Sequence, residues 1–434
     1  MTFQVKDLLP ALEELAKIAP CEVNHALLLE VVGQLMTDLQ AVLPPKHSGF
    51  TCDGYLLVAL YQDLSQVAFK KFCPALNTWC MGAGLYFQRV NTKTFANGKH
   101  RRALPGQPDM SRFLATLSAM GLAEEFGNSV LLGTFLYAKS LGLVSGDLTL
   151  IADYVKEPCQ KDKEDKYCFG SKNGKTYHKT LTFSVISKDL HLVVANYKIQ
   201  KRQPVRPLFD AIITRLRAQG VDIRYGLFDR GFYRRELLQS LKQWKITVIM
   251  PARNCADTRG KVHLWVQGLA GRSGQVSIKV RYARKHGWVC LKVGIVLCTK
   301  RGFSLKDTKK QYNDGTLSLD KAGKRVFPIL VIRGSPRGLK VLRGNENYIR
   351  QLYRERWAIE IAFRQTNLLG ISTWVKGRDA RLVLFSWKCA VYNLWQIARA
   401  QVAAKNPVAE PLTLDEFCGR MWENRTKGLE ACAA

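Results

Sequence analysis

Between about residues 148 and 253 the apolar side chains switch repeatedly between the spacing of a strand and that of a helix, and this alternation restricts the fold more than any other feature. LTLIADYV, KTLTFSVISK and HLVVANYKI are short runs rich in β-branched and large apolar residues, as strands are. They read as a three-strand meander, with Asp189 in the turn before the third. RPLFDAIITRLRAQG is amphipathic at helical spacing and closes on Gly220, a helix with a glycine C-cap. IRYGLFDRG then reads as a strand, YRRELLQSLKQWK as a helix and KITVIMPAR as a strand. The order βββαβαβ calls for an α/β class, a sheet with helices packed on it.

The flanking segments divide the remaining chain, and 434 residues exceed what one core usually organises. Residues 1–140 carry helical spacing in DLLPALEELAKIA, NHALLLEVVGQLMTDLQAVL and GYLLVALYQDLSQVAFKKF, and Gly106-Gln107-Pro108-Asp109 suits the start of a further helix. This region reads equally as a helical DNA-binding unit or as a helical cap. Residues 145–255 hold the alternating core. Residues 256–340 read as a β-rich insertion, with strand signals in LWVQGLA, QVSIKVRYA, WVCLKVGIVLC and VFPILVIRG. Residues 341–405 return to helix: NENYIRQLYRERWAIEIAFRQTNLLG as one long helix ended by Gly370, then RLVLFSWKCAVYNLWQIARAQVAAK. Residues 406–434 form a tail.

The partner class follows from charge. The sequence has 66 Lys and Arg against 35 Asp and Glu, a formal net charge of +31, far more than solubility requires. Such a surface suits a polyanion, with DNA ahead of RNA or an anionic membrane. No apolar run approaches the roughly 18 to 20 residues that span a bilayer, and MTFQVKDLLPALEEL lacks the basic-then-apolar order of a leader, so a cytoplasmic protein is expected. Twelve cysteines are scattered without C-x2-C spacing, which disfavours zinc and suits reduced thiols; Cys159 and Cys168 are the nearest to the acids discussed next.

Two carboxylates stand at strand positions. Asp153 interrupts the apolar run LIADYV, where a charge is costly unless exposed, paired or bound to a cation. Asp229 ends YGLF, just before Arg230-Gly231-Phe232. Either one could instead cap the turn that follows it. A third acid lies on a helix: Tyr353, Arg356 and Glu360 at i, i+3 and i+7 fall within about 60° of one another. On spacing alone, an ordinary surface ion pair of Arg356 with Glu360, with Tyr353 and Phe363 in a core, explains the pattern somewhat better. Three carboxylates are the hard-oxygen set that holds two Mg²⁺ ions about 3.5 to 4 Å apart for phosphoryl chemistry, with Mn²⁺ as a substitute. Arg356 would then grip a phosphate in two-point fashion and the Tyr353 hydroxyl would place its neighbour.

Taken together, LFDRGFY around Asp229, LIADYV around Asp153 and YRERWAIEIAFR around Glu360 resemble the DDE transposases of bacterial and archaeal insertion sequences. The similarity is to the branch marked Tyr-x2-Arg-x3-Glu-x6-Lys and covers roughly residues 145–400. It implies a ribonuclease H-like core with a β-rich insertion between Asp229 and Glu360, and an N-terminal helical domain. Asp153, Asp229 and Glu360 would be the catalytic metal ligands. Seven residues after Glu360 the chain has Asn367 where that branch has Lys, so Lys376, Lys388 or Arg364 would supply the charge.

The resemblance further implies binding to the terminal inverted repeats of an element, Mg²⁺-dependent cleavage, strand transfer from a freed 3′-hydroxyl, a homodimer in a paired-end complex and association with the nucleoid. An inactive or host-adopted DNA binder and a ribonuclease H-like nuclease are the alternatives. Arg230, and His178 within Tyr177-His178-Lys179, join Tyr353, Arg356, Arg364 and Lys376 as expected DNA contacts. Trp357 and Trp374 are read as core or as surfaces for an unpaired base. Gly231 is expected to permit a tight turn or a close approach of DNA.

Overall fold

The computed structural model describes residues 107–144, 146–159, 166–170, 174–188, 190–252, 256–281, 288–300, 302–332, 345–369, 377–405 and 411–423. The expected helices before residue 107, Asp189, Gly370, Trp374, Lys376 and most of the tail lie outside them. The described residues form two compact units, one from 107–144, 154–201 and 361 onward, the other from 146–153 and 202–360.

In the first unit α1 (Gln107–Ala119) and α2 (Ala123–Ser140) precede the strands, and β1 (Asp147–Pro158) enters from the second unit. The two-residue β2 (Phe169–Gly170) pairs with β3 (Thr176–Ser187), which pairs antiparallel with β4 (Leu190–Ile199). The second and third predicted strands are these. β4 is buried along almost its whole length, because α2 and the 28-residue helix Arg378–Lys405 both pack on it. Gly127 lets α2 and the long helix approach each other: a Cβ there would lie 2.7 Å from Ser386 Oγ.

Buried polar groups complete this core. The register of β3 on β4 slips between Phe183 and Ser184, so that Phe183 faces Ala195 and Ser184 faces Val193. The extra residue is Val194, and because β4 pairs with β3 on one side only, backbone groups of Val193 are presented on its other edge. Asn393 takes them both, accepting from Val193 N at 2.8 Å and donating to Val193 O at 2.7 Å, and its amide also donates to Thr134 Oγ1 at 2.7 Å. Asn196 is held likewise: its backbone N–H donates to Asn128, Thr182 donates to its side-chain oxygen, and its amide donates to Ser386.

The second unit carries a mixed sheet flanked by helices. Its chain order after β1 is α3 (Arg206–Ala218), β5 (Asp222–Phe228), α4 (Arg235–Gln243), β6 (Thr247–Pro251), α5 (Ala256–Val266), β7 (Ser273–Arg281), β8 (Trp288–Thr299), α6 (Leu305–Asn313), α7 (Leu319–Arg325) and β9 (Val326–Ile332). Strands β1, β5 and β6 run parallel, and β9, β8 and β7 continue the sheet antiparallel. The parallel step from β5 to β6 is made through α4, and that from β1 to β5 through β2, β3, β4 and α3. The Asp210 carboxylate ties α3 to α4, accepting from Ser240, from Trp244 Nε1 at 2.8 Å and from Arg206 at 3.2 Å.

Two sequence expectations are corrected. LWVQGLA is not a strand; its first half is the end of α5, with Val262, Trp265 and Val266 buried at helical spacing. The segment is also less β-rich than expected, since α6 and α7 start on Ser304 and Ser318, whose hydroxyls accept from Asp307 N and Lys321 N. Second, the predicted long helix is two, α8 (Glu346–Arg354) and α9 (Trp357–Leu368), followed by α10 (Arg378–Lys405) and α11 (Leu414–Glu423). At the break the backbone tightens to three-residue hydrogen bonds, Arg356 N to Tyr353 O and Ala358 N to Glu355 O.

Candidate carboxylate site and its basic cavity

The parallel register of β1 and β5 brings two of the predicted acids together. Ile151 pairs with Leu227 and Ala152 with Phe228, so the next residues are Asp153, midway along β1, and Asp229, just past the carboxyl end of β5. Neighbouring strands lie about 4.8 Å apart, and alternation puts the two side chains on the face shared with Ile151 and Leu227. The carboxyl ends of parallel strands are where open α/β sheets place ligands.

LFDRGFY positions Asp229 through its apolar members. Phe228 and Phe232 are fully buried and pack edge-on against Phe209 of α3, with centroids 5.2 and 5.6 Å from it. Between these two anchors Asp229 stays extended and Arg230–Phe232 make one 3-10 turn. The carboxylate of Asp229 makes no capping hydrogen bond to that turn, which removes the capping explanation for its presence. Gly226 gives Phe228 its room: a Cβ there would lie 2.6 Å from the ring. Gly231 has no positive φ, so the turn does not call on glycine's backbone freedom, contrary to the expectation of a tight-turn role.

The third acid is reached through Arg356. Its Nη1 donates to Asp153 Oδ2 at 3.1 Å and its Nη2 to Glu360 Oε1 at 2.6 Å. Arg356 is only 9% exposed, and its Nε has no hydrogen-bond partner among the described residues. Burial works against its charge, but Tyr353, Glu360 and Asp153 outweigh burial and raise its pKa. Tyr353 is buried beside it, and burial raises the phenol to about 12, so the hydroxyl keeps its proton at any physiological pH.

A cavity of about 620 Å³ opens beside these groups, lined by Asp229, Tyr353 and Arg356 and by the cations Arg230, Lys300, Arg350 and Arg354. Among the described residues none of those four cations is paired with a carboxylate. Phe303, Phe327 and the half-exposed Trp357 complete the wall. Trp357 is therefore not core. Lys300, Arg350, Arg354 and Phe303 were not singled out by sequence. Arg350 and Arg354 share a face of α8 with Tyr353, a signal that was present; Lys300 and Phe303 sit in a basic turn with none.

The other expected contacts are not gathered by this unit. His178 lies on β3, half-buried, and Arg364 and Asn367 are exposed on the later turns of α9, all in the first unit. Lys388 is on α10, also in the first unit. Cys159 and Cys168 meet there at 3.5 Å between sulfurs.

Hard carboxylate oxygens are the right donors for Mg²⁺. As placed, however, they do not form a metal site: among the described residues no three His, Cys, Asp or Glu side chains are grouped to hold an ion. The Arg356 guanidinium stands between Asp153 and Glu360. No described helix is long and apolar enough to cross a membrane.

No family model and no curated protein matches this sequence. Among solved structures the chain is similar to the piggyBac transposase synaptic complex with hairpin DNA, at 10% identity and a TM-score of 0.46, covering 95% of this chain and 82% of that one.

Proposed function

We propose that this chain is a DDE-type DNA transposase that cleaves DNA at the ends of its element and joins the freed 3′-hydroxyl to a target. The observation that carries the reading is the register of β1 on β5, which sets Asp153 and Asp229 side by side, with Arg356 tying Glu360 to the first of them. The motifs LFDRGFY and YRERWAIEIAFR, and a chain order that is βββαβαβ apart from the two-residue β2, support a ribonuclease H-like core for this work.

In this reading the cavity takes the DNA backbone. Arg230, Lys300, Arg350 and Arg354 neutralise phosphates that Asp153, Asp229 and Glu360 would repel, and the protonated Tyr353 hydroxyl donates to a phosphate oxygen. Mg²⁺ is the proposed cofactor: held by Asp153, Asp229 and Glu360, it would supply activation of the attacking oxygen and stabilisation of the departing one. A homodimer holding two element ends is proposed from the same resemblance.

The test is strand nicking and transfer by the purified full chain, with Mg²⁺, on a plasmid carrying the sequences that flank its gene. Nicking is expected with the native chain and absent from Asp229→Asn and Glu360→Gln. Undiminished nicking in either variant sinks the assignment. The i, i+4 pairing of Arg356 with Glu360 is also what a purely structural ion pair looks like. It favours, as the second reading, a DNA binder that does not cut, in which the native chain retards DNA but never nicks it.

A further inference from the structure

Arg356 is more than a phosphate contact awaiting DNA. Its guanidinium spans two acids that come from distant parts of the chain, Asp153 on β1 and Glu360 on α9, and it is nearly buried in doing so. The tightened turn between α8 and α9 is what points it inward while Trp357, the next residue, stays exposed. The same guanidinium also lines the cavity whose four other cations have no carboxylate partner among the described residues. It therefore has anionic partners on one side and a place for anionic ligands on the other.

From this arrangement we infer that Arg356 and a divalent cation are rival occupants of the Asp153–Glu360 pair, and that a DNA phosphate in the adjoining cavity decides the rivalry by drawing the guanidinium away. The inference rests on the carboxylate site proposed above. Each carboxylate oxygen that accepts from Arg356 is an oxygen a cation would need, and two positive charges cannot share so small a space. A phosphate offers Arg356 the same two-point hydrogen bonding that it now spends on two separate acids. Its unpartnered Nε is a further donor that a new partner can satisfy. Linkage then works in both directions: DNA tightens the hold on the cation, and the cation tightens the hold on DNA. The arrangement keeps the acids neutralised until the substrate is in place.

Mn²⁺ binding to the full-length protein tests this, read from the electron paramagnetic resonance signal of free Mn²⁺, with and without a blunt duplex oligonucleotide of mixed sequence. Asp153→Asn protein at the same DNA concentration gives the background for Mn²⁺ held by DNA alone. Native protein should bind Mn²⁺ on the order of tenfold more tightly with DNA than without it. Arg356→Gln should bind it without DNA as tightly as native protein does with DNA, and DNA should add little. Arg356→Lys, which keeps the charge but reaches one acid at a time, should lie between them and decides the matter if the Gln variant does not fold.

The inference is overturned if the folded Arg356 variants bind Mn²⁺ no more tightly than native protein, or if the DNA effect persists in them undiminished. If those results come with loss of Mn²⁺ binding in Asp153→Asn, only the rivalry is wrong. If Asp153→Asn binds Mn²⁺ as native protein does, the carboxylate site fails as well.

Discussion

The two units bury polar groups in opposite ways. In the first, two neutral amides organise the interior, Asn393 with Val193 and Thr134 and Asn196 with Asn128, Thr182 and Ser386, while Ser184 Oγ and His191 Nε2 have no hydrogen-bond partner among the described residues. Its buried charges are held by carboxylates: Asp379 accepts from Lys198 and Arg378 at 3.0 Å each and from Ser118 at 3.2 Å. In the second unit a nearly buried arginine is shared between two acids, and the cavity beside it has cations in excess. Satisfied neutral networks specify a core; unbalanced charge in a concave place is what a charged ligand completes. Neutral amides organise the interior of the first unit, and charge organises the concave face of the second.

Asn393→Leu would break the contrast most directly. It keeps side-chain volume but strands Val193 N, Val193 O and Thr134, and should cost on the order of 3 kcal/mol in denaturant unfolding. A loss below ~1 kcal/mol would mean that the network is not what holds this core. DNA affinity of the folded fraction should be unchanged.

Gly226→Ala asks the same of the second unit. The new Cβ must displace the Phe228 ring from its place beside Phe209 and Phe232. We expect about 2 kcal/mol of destabilisation. Because Asp229 follows Phe228 directly, nicking should fall further than stability does. Equal losses of both would detach the phenylalanine anchors from the site.

A pH series sharpens the view of the first unit. His191 is buried with Nδ1 2.9 Å from the Tyr392 hydroxyl, and burial pushes its pKa from 6.5 down to about 3. Between those values the unfolded chain binds a proton that the folded chain refuses. This contribution to stability is thus complete above about pH 6.5 and is lost at up to ~1.4 kcal/mol per unit as pH falls toward 3. His191→Gln should flatten that slope in unfolding measured across pH 4 to 7, a range of about three units around the same window; an unchanged slope assigns the acid sensitivity elsewhere.

The smallest expected effect concerns the cavity. Lys300→Ala and Arg350→Ala should each lower the slope of log DNA affinity on log salt by about 0.9, the mark of one lost phosphate contact. Stability should move by no more than ~0.5 kcal/mol. An unaltered salt slope would take DNA out of this cavity.

Much of this was legible because it depends on neighbours in sequence. Period and punctuation located β1, β3, β4, β5 and β6 with the helices between them, and the apolar pairs around Asp229 marked a turn anchored on both sides. Where two periods compete over a short apolar run, as in LWVQGLA, sequence does not choose; burial of Val262, Trp265 and Val266 on one helical face chose. The helices α6 and α7 were signalled by Ser304 and Ser318 with acids in the following turn, a cap signature outweighed by the glycines and apolar runs nearby.

The sequence by itself determined the residues that carry charge, the strand that contains Asp153 and the one that leads into Asp229, and the class of partner that a net charge of +31 attracts. Only the tertiary structure decided how the acids stand. A helix drawn at 100° per residue gave Tyr353, Arg356 and Glu360 one common face, whereas the chain breaks between α8 and α9 and turns Arg356 inward to Asp153, 203 positions away. Local periodicity describes a residue's neighbours along the chain. Which distant charge it meets depends on strand register and on a helix break, and both are set by packing.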